Sequence, residues 1–421
     1  MKKLFSNFHL HFFILYFLAF YQVKYMIHFY FSDGGKGKKV FLRRLPLLAA
    51  ALVALMAGLW AGLLRLGLDL PPLRPALAAE HGPLLVLGFL GTQIGLERAV
   101  ALGGHRAWRW PYLAPTAAAA GALWLLLGLP TRPGQFLLFV GGLALVAVFV
   151  AVQCLDPTWH NVVMGLGAAA WATGAAVWLA SEPITAVVPF LAAFLVLTIV
   201  GERLELSRMR HPPRRVRIAL LGAVALFGAG VVLTLPWPTP GIRLAAAGLL
   251  AQAAWRARYD VARRTIQMTG LTRYMAVALL AGYFWLGVAG VLWLWEGQLL
   301  GGGYAYDAMV HLIFLGFVFS MIFAHAPVIV PALLGVALPY RRSFYVPLAL
   351  LHASVAIRVF GDLESNLHAW RWGGVLGEVA ILSFLVLAAG SVVRARRHRA
   401  SCRPRSQPSA TSERLAAWRR V

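Results

Sequence analysis

Four histidines, His81, His311, His325 and His352, fall inside long apolar segments of the chain. An imidazole serves as a metal ligand or proton carrier near neutral pH, and an ionisable group within an apolar span is a functional candidate by default. His81 opens its segment. On a 3.6-residue helix Gly88 and Gly95 follow it along nearly the same face, which leaves room for a flat, bulky ligand; small residues there equally allow close helix packing. His311 lies a similar short distance into a later segment that runs the same way, so the two rings are expected at one depth. Asp307, four residues earlier, shares the helical face of His311 and is placed to hold the far ring nitrogen, as carboxylates do behind metal-bound histidines. Taken singly, each histidine also suits an interfacial residue meeting water. As a pair they are the expected ligands of one metal centre.

His325 follows His311 by fourteen residues, roughly 21 Å along a helix axis, and is expected to bond a neighbouring backbone carbonyl. His352 sits in the middle of its span, where a second site or a proton path would explain it. Glu378 is buried in the last span, and its partner is not evident from sequence. Arg358, and Arg371 between Trp370 and Trp372, are placed to neutralise the carboxylates of an amphiphilic cofactor. The same residues would suit an aromatic belt at a membrane interface. Two Glu-Arg pairs, Glu97-Arg98 and Glu202-Arg203, close the echoing strings that begin at Thr92 and Thr198. Such pairs serve either as polar elements of a transport path or as self-neutralising helix ends.

The elements that position these residues follow from composition. The chain has 421 residues, 60% hydrophobic and 13% charged, with a mean hydropathy of +0.72, far from the balance of soluble domains. That excludes a soluble enzyme and a disordered chain, and two cysteines exclude a disulfide scaffold. Twelve apolar runs of spanning length follow Arg43, near 45–68, 81–103, 110–130, 134–154, 160–181, 184–202, 216–236, 241–258, 273–295, 305–335, 343–361 and 372–393. In lipid only helices suit them, so an all-α membrane protein is expected, with the Glu-Arg echo four spans apart suggesting three arcs of four helices. The net charge of +24 gathers at alternate ends of these runs, as in Arg214, Arg215 and Arg217 or Arg341 and Arg342. By the positive-inside rule both termini then lie on the cytoplasmic side of an inner membrane, and the charge points to lipid headgroups as partners rather than nucleic acid.

Three regions are expected: an atypical extension over 1–39, a membrane domain over 40–393 and a basic, disordered tail over 394–421. The first 39 residues hold one Ala and no Arg, which reads as translation ahead of a true start near Val40.

With twelve spans, both ends inside and histidines at one end of helices 2 and 10, the chain resembles subunit I of the haem–copper oxidases. In that superfamily histidines on those helices clamp a low-spin haem, and arginines near the helix 11–12 connection meet its propionates. The local strings are similar to the NnrS family of haem–copper membrane proteins linked to nitric oxide stress. Its HAHEMLFGF pattern resembles His81-Gly82-Pro83-Leu84-Leu85-Val86-Leu87-Gly88-Phe89, and its HALTxG segment resembles His311-Leu312-Ile313-Phe314-Leu315-Gly316. The resemblance implies a haem b held by His81 and His311, with electron transfer or a nitric oxide response as the role, and an electron-donor protein or second subunit as partner. Pro83 replaces the second histidine of the NnrS pair, and helices 6 and 7 hold no histidine, so copper and terminal oxidase chemistry are not expected. The competing expectations are a secondary transporter gated by Glu97/Arg98, Glu202/Arg203 and Glu378, and a membrane subunit without chemistry of its own.

Overall fold

The computed structural model describes residues 36–71, 77–106, 108–207, 213–299, 302–334 and 337–401. Residues 1–35 of the expected extension and 402–421 of the expected tail lie outside them. The described residues are mostly helical, with short connections and no strand among them. A helix closes every backbone hydrogen bond within its own segment, the condition a lipid environment imposes.

Twelve helices coincide with the twelve apolar runs. We number them α1 (Lys36–Arg65), α2 (His81–Pro83, Leu84–Leu90 and Gly91–Arg106), α3 (Leu113–Leu126), α4 (Thr131–Leu155), α5 (Trp159–Leu179), α6 (Ile184–Ser207), α7 (Arg214–Leu233), α8 (Pro238–Tyr259), α9 (Gly270–Glu296), α10 (Gly303–His311, Leu312–Val318 and Phe319–Leu334), α11 (Tyr345–Leu363) and α12 (Leu367–Ser401). Among the described residues ten helices are long and apolar enough to cross a membrane. The remaining two are α3, of 14 residues, and α8, which carries Arg243, Gln252, Arg256 and Arg258. Residues 394–401, the described part of the expected tail, continue α12 as helix, so the regular run of the last span extends into its basic end.

Consecutive helices pack as antiparallel neighbours, most extensively α11 on α12 and α5 on α6, and α12 returns to touch α1. Helix α6 lies deepest, since 78% of its most apolar stretch is buried. The α11–α12 corner is tightly built. Asn366 accepts from the His368 and Ala369 amides at 3.1 Å each, capping the first turn of α12. A Cβ at Gly361 or Gly373 would strike the backbone of the opposing helix, so the two helices touch main chain to main chain and fix Arg358 in place.

Two irregularities stand out. Leu84–Leu90 of α2 and Leu312–Val318 of α10 are π-helical, a wide geometry found mostly as short insertions at functional sites. One begins three residues after His81 and the other directly after His311.

Candidate functional site

The two π-helical segments line one cavity, and the histidines that precede them meet. The rings of His81 and His311 are stacked with centroids 6.4 Å apart and planes inclined by 29°. Two imidazoles on opposite sides of one metal ion, with nitrogens at about 2.0–2.1 Å, would place their centroids roughly 6 to 6.5 Å apart. A pair packed face to face would sit closer.

Their protonation is fixed by their neighbours. His81 Nδ1 lies 2.7 Å from the Gly58 carbonyl of α1, and His311 Nδ1 lies 2.8 Å from the Asp307 carbonyl one turn earlier. A carbonyl only accepts, so both Nδ1 atoms carry the hydrogen and both Nε2 atoms keep a lone pair. That is the tautomer of a metal-ligating histidine whose other nitrogen donates to the protein. The expected Asp307–His311 contact is present at 3.3 Å from Nδ1 to the carboxylate, secondary to the carbonyl bond.

Asp307 is buried and holds three further donors. Arg358 reaches it through Nε at 2.7 Å and Nη2 at 3.1 Å, and Trp370 Nε1 donates at 3.0 Å. Arg358 also lies 5.7 Å over the Trp370 ring. Asp362, buried at 2% exposure, shares this neighbourhood with Asp307 and Arg358. His311 is thus anchored through α10 to the rigid α11–α12 corner.

Both rings line a cavity of about 120 Å³, with Arg65, Tyr306, Arg358 and Glu378 also on its wall. Glu378 is 7% exposed, and its Oε2 has no hydrogen-bond partner. Gly62 explains how His81 and Glu378 come so near α1: a Cβ there would stand 2.9 Å from His81 Cε1 and 3.0 Å from Glu378 Oε1. Sequence reasoning missed Gly58, Gly62 and Arg65. The Gly58-x-x-x-Gly62 spacing was the available signal, since it lets a neighbouring helix approach closely.

Two expected site residues stand elsewhere. A Cβ on Gly88 would meet Ala122 at 2.8 Å and Ala54 at 3.2 Å, so Gly88 serves helix packing and does not line the cavity. Arg371 donates through Nε to the Leu66 carbonyl at 3.0 Å, tying α12 to the end of α1, and is likewise not on the cavity wall. His352 accepts at 2.9 Å from Trp285 Nε1 on α9, away from the histidine pair. His325 donates to the Met321 carbonyl at 2.8 Å, the backbone bond expected for it.

The Glu-Arg pairs lie toward the opposite, arginine-rich end of the bundle and are cross-linked. Arg98 binds Glu202 at 2.7 Å and Glu97 at 3.6 Å. Arg203 forks onto Asp260 at 2.6 and 3.0 Å, and Tyr283 and the Ala262 amide also donate to that carboxylate. Burial pushes the Asp260 carboxyl upward, but the Arg203 bonds and charge outweigh it and hold the group below its ordinary value. Buried Arg256 stacks near Tyr283 and Phe317. A second cavity of about 280 Å³ lies above these pairs and shares Leu90, Val318, Phe319 and Ile381 with the first. Among the described residues no group of three or more His, Cys, Asp and Glu side chains is arranged to hold a metal ion; the histidine site is a pair.

A family model described as Domain of unknown function (DUF8744) matches residues 44–393. No curated protein matches the chain.

Proposed function

The chain belongs to the DUF8744 family, and we propose that it binds a b-type haem between His81 and His311 and serves electron transfer or a nitric oxide response within the membrane. The observation that carries this reading is the pair of imidazoles 6.4 Å apart with both Nδ1 hydrogens committed to carbonyls. Two neutral imidazoles this close together, each keeping its Nε2 lone pair, are a donor set that would suit haem iron. Bound haem supplies a one-electron change at its iron.

The protein's own residues divide the remaining tasks. The Gly58 and Asp307 carbonyls orient the rings and raise their basicity, and the Asp307 carboxylate adds negative charge behind His311 alone. Arg65 and Arg358 bring cations to the same wall, where carboxylates of an amphiphilic ligand would be neutralised. The cavity the rings line is smaller than a porphyrin fills, so loading requires the half-exposed Leu85 and Phe314, both in the π-helical segments, to rotate away. We further propose that all twelve helices cross the cytoplasmic membrane, with the arginine-rich end inside. The absence of histidine from α6 and α7 is why no copper-dependent reduction is part of the proposal. The residues on which a transport reading rests, Glu97/Arg98 and Glu202/Arg203, are paired across α2 and α6, which favours a structural part for them.

The test is colour. Protein purified in mild detergent should carry a Soret band, and His81→Ala and His311→Ala should each abolish it while leaving the protein monodisperse. A chain that stays colourless after haem reconstitution overturns the proposal and leaves a carrier or scaffold.

A further inference from the structure

The second cavity has a chemistry of its own. Its walls come from α1, α2, α6, α10 and α12 and are almost entirely aliphatic or aromatic, including Phe89 and Phe384. Half-exposed Leu48 and Leu52 of α1 and Ile329 and Val330 of α10 are among its lining residues, so an apolar molecule can reach it from the flank of the bundle.

Against this apolar wall stand three groups able to accept a further hydrogen, of which Gln93 Oε1 is buried with no partner at all. His325 spends its Nδ1 hydrogen on the Met321 carbonyl, which leaves Nε2 a bare acceptor. Glu97, one turn from Gln93 on the same face of α2, keeps only its 3.6 Å contact with Arg98, whose short bond goes to Glu202. An orphaned acceptor such as Gln93 Oε1 in an apolar site is costly, and together with the spare acceptor capacity of His325 and Glu97 it calls for a ligand that brings hydroxyl hydrogens.

We propose that this cavity binds the head of a lipid-soluble hydroquinone, its two phenolic hydroxyls donating to His325 Nε2 and to Glu97 or Gln93, its ring packed among the aromatic walls. A phospholipid chain would fill the apolar part and leave Gln93 Oε1 without a donor. An oxidised quinone offers only acceptors and would set oxygen against oxygen, so the site selects the reduced form. The wall shared with the first cavity puts such a ring one layer of side chains from the His81–His311 pair, where an electron donor to that centre would stand. Binding itself does not depend on the haem reading; only that relation between the two sites rests on it.

The experiment uses the full chain in lipid nanodiscs and three probes sharing a decyl tail: a benzohydroquinone kept reduced, its oxidised quinone, and its dimethyl ether. Quenching of tryptophan fluorescence should report saturable binding of the hydroquinone, at least tenfold tighter than the ether or the quinone. His325→Phe and Glu97→Gln should each weaken hydroquinone binding tenfold or more and leave ether binding unchanged, with folding checked by thermal melting. His81→Ala should lose any haem colour and keep hydroquinone binding, which separates failure of the haem reading from failure of this one. Equal affinity for hydroquinone and ether overturns the proposal and marks a lipid crevice, a comparison made on the wild-type chain alone and so unaffected by any variant that misfolds. Unchanged binding in both folded variants overturns it as well.

Discussion

Replacing Asp307 by alanine leaves the Arg358 guanidinium buried without its carboxylate. The two side chains are 12% and 9% exposed and meet at 2.7 Å, so little solvent is at hand to take over. Removing one partner of a buried pair costs about 3–5 kcal/mol, and the Trp370 and His311 donors lose an acceptor at the same time. We expect Asp307→Ala to lower the unfolding midpoint in detergent by about 3–6 °C. Arg358→Ala should cost a similar amount, because it strands the carboxylate. The double variant removes both charges together and should fall short of the sum of the singles by roughly 2 kcal/mol or more. Thermal melts followed by tryptophan fluorescence, with reversibility checked by cooling, measure all four corners of this cycle. If the single costs add within about 0.5 kcal/mol, the fork is not a coupled unit, and the claim that α11 anchors His311 through Asp307 is refuted.

Two further outcomes follow from the geometry. Gly62→Val inserts carbon where His81 Cε1 and Glu378 Oε1 already stand and should abolish the haem spectrum, whereas Gly88→Ala, crowding Ala122 and Ala54, should lower stability by about 1–3 kcal/mol with the spectrum intact; equal spectral effects would contradict the assignment of these glycines. For Asp260, whose folded carboxyl is held below its ordinary value, the stabilisation is present above about pH 4 and lost as pH falls through the lower, folded value. Asp260→Asn should therefore be less stable than wild type at neutral pH and should lose less on acidification in melts taken from pH 7 to pH 3, and identical slopes for the two proteins would count against it.

Much of this architecture was legible in sequence because lipid makes hydropathy decisive: each of the twelve runs is a helix, although α3 is short and α8 is polar. The histidine pair was legible for a related reason. Two rings near the same end of helices running the same way must share a depth, and one distance then decides whether they meet. A 3.6-residue period placed Gly88 under His81 and left two uses open, ligand space or helix packing; its contacts are those of packing. The π-helical turn between them has more residues per turn and swings Gly88 toward α3. The acceptor for His81 and the space beside it come from Gly58 and Gly62 on α1, and a main-chain carbonyl leaves no mark in residue type. Arg371 looked equivalent to Arg358 from its place near a helix end. Only the close contact of α11 with α12 and the Leu66 carbonyl separate the two, turning one toward the cavity and the other toward α1. The partners of Glu202 and Arg203, on α2 and just beyond α8, are long-range choices that no local pattern announces.

The central claim is that one iron lies between two imidazoles. Low-temperature electron paramagnetic resonance of the purified, oxidised chain, read beside elemental analysis, tests it most directly. The expected result is one iron per chain and a low-spin signal of bis-imidazole type, converted to a high-spin or absent signal by His81→Ala and by His311→Ala alike. A low-spin signal that survives either substitution, or a different metal bound in stoichiometric amount, would contradict it.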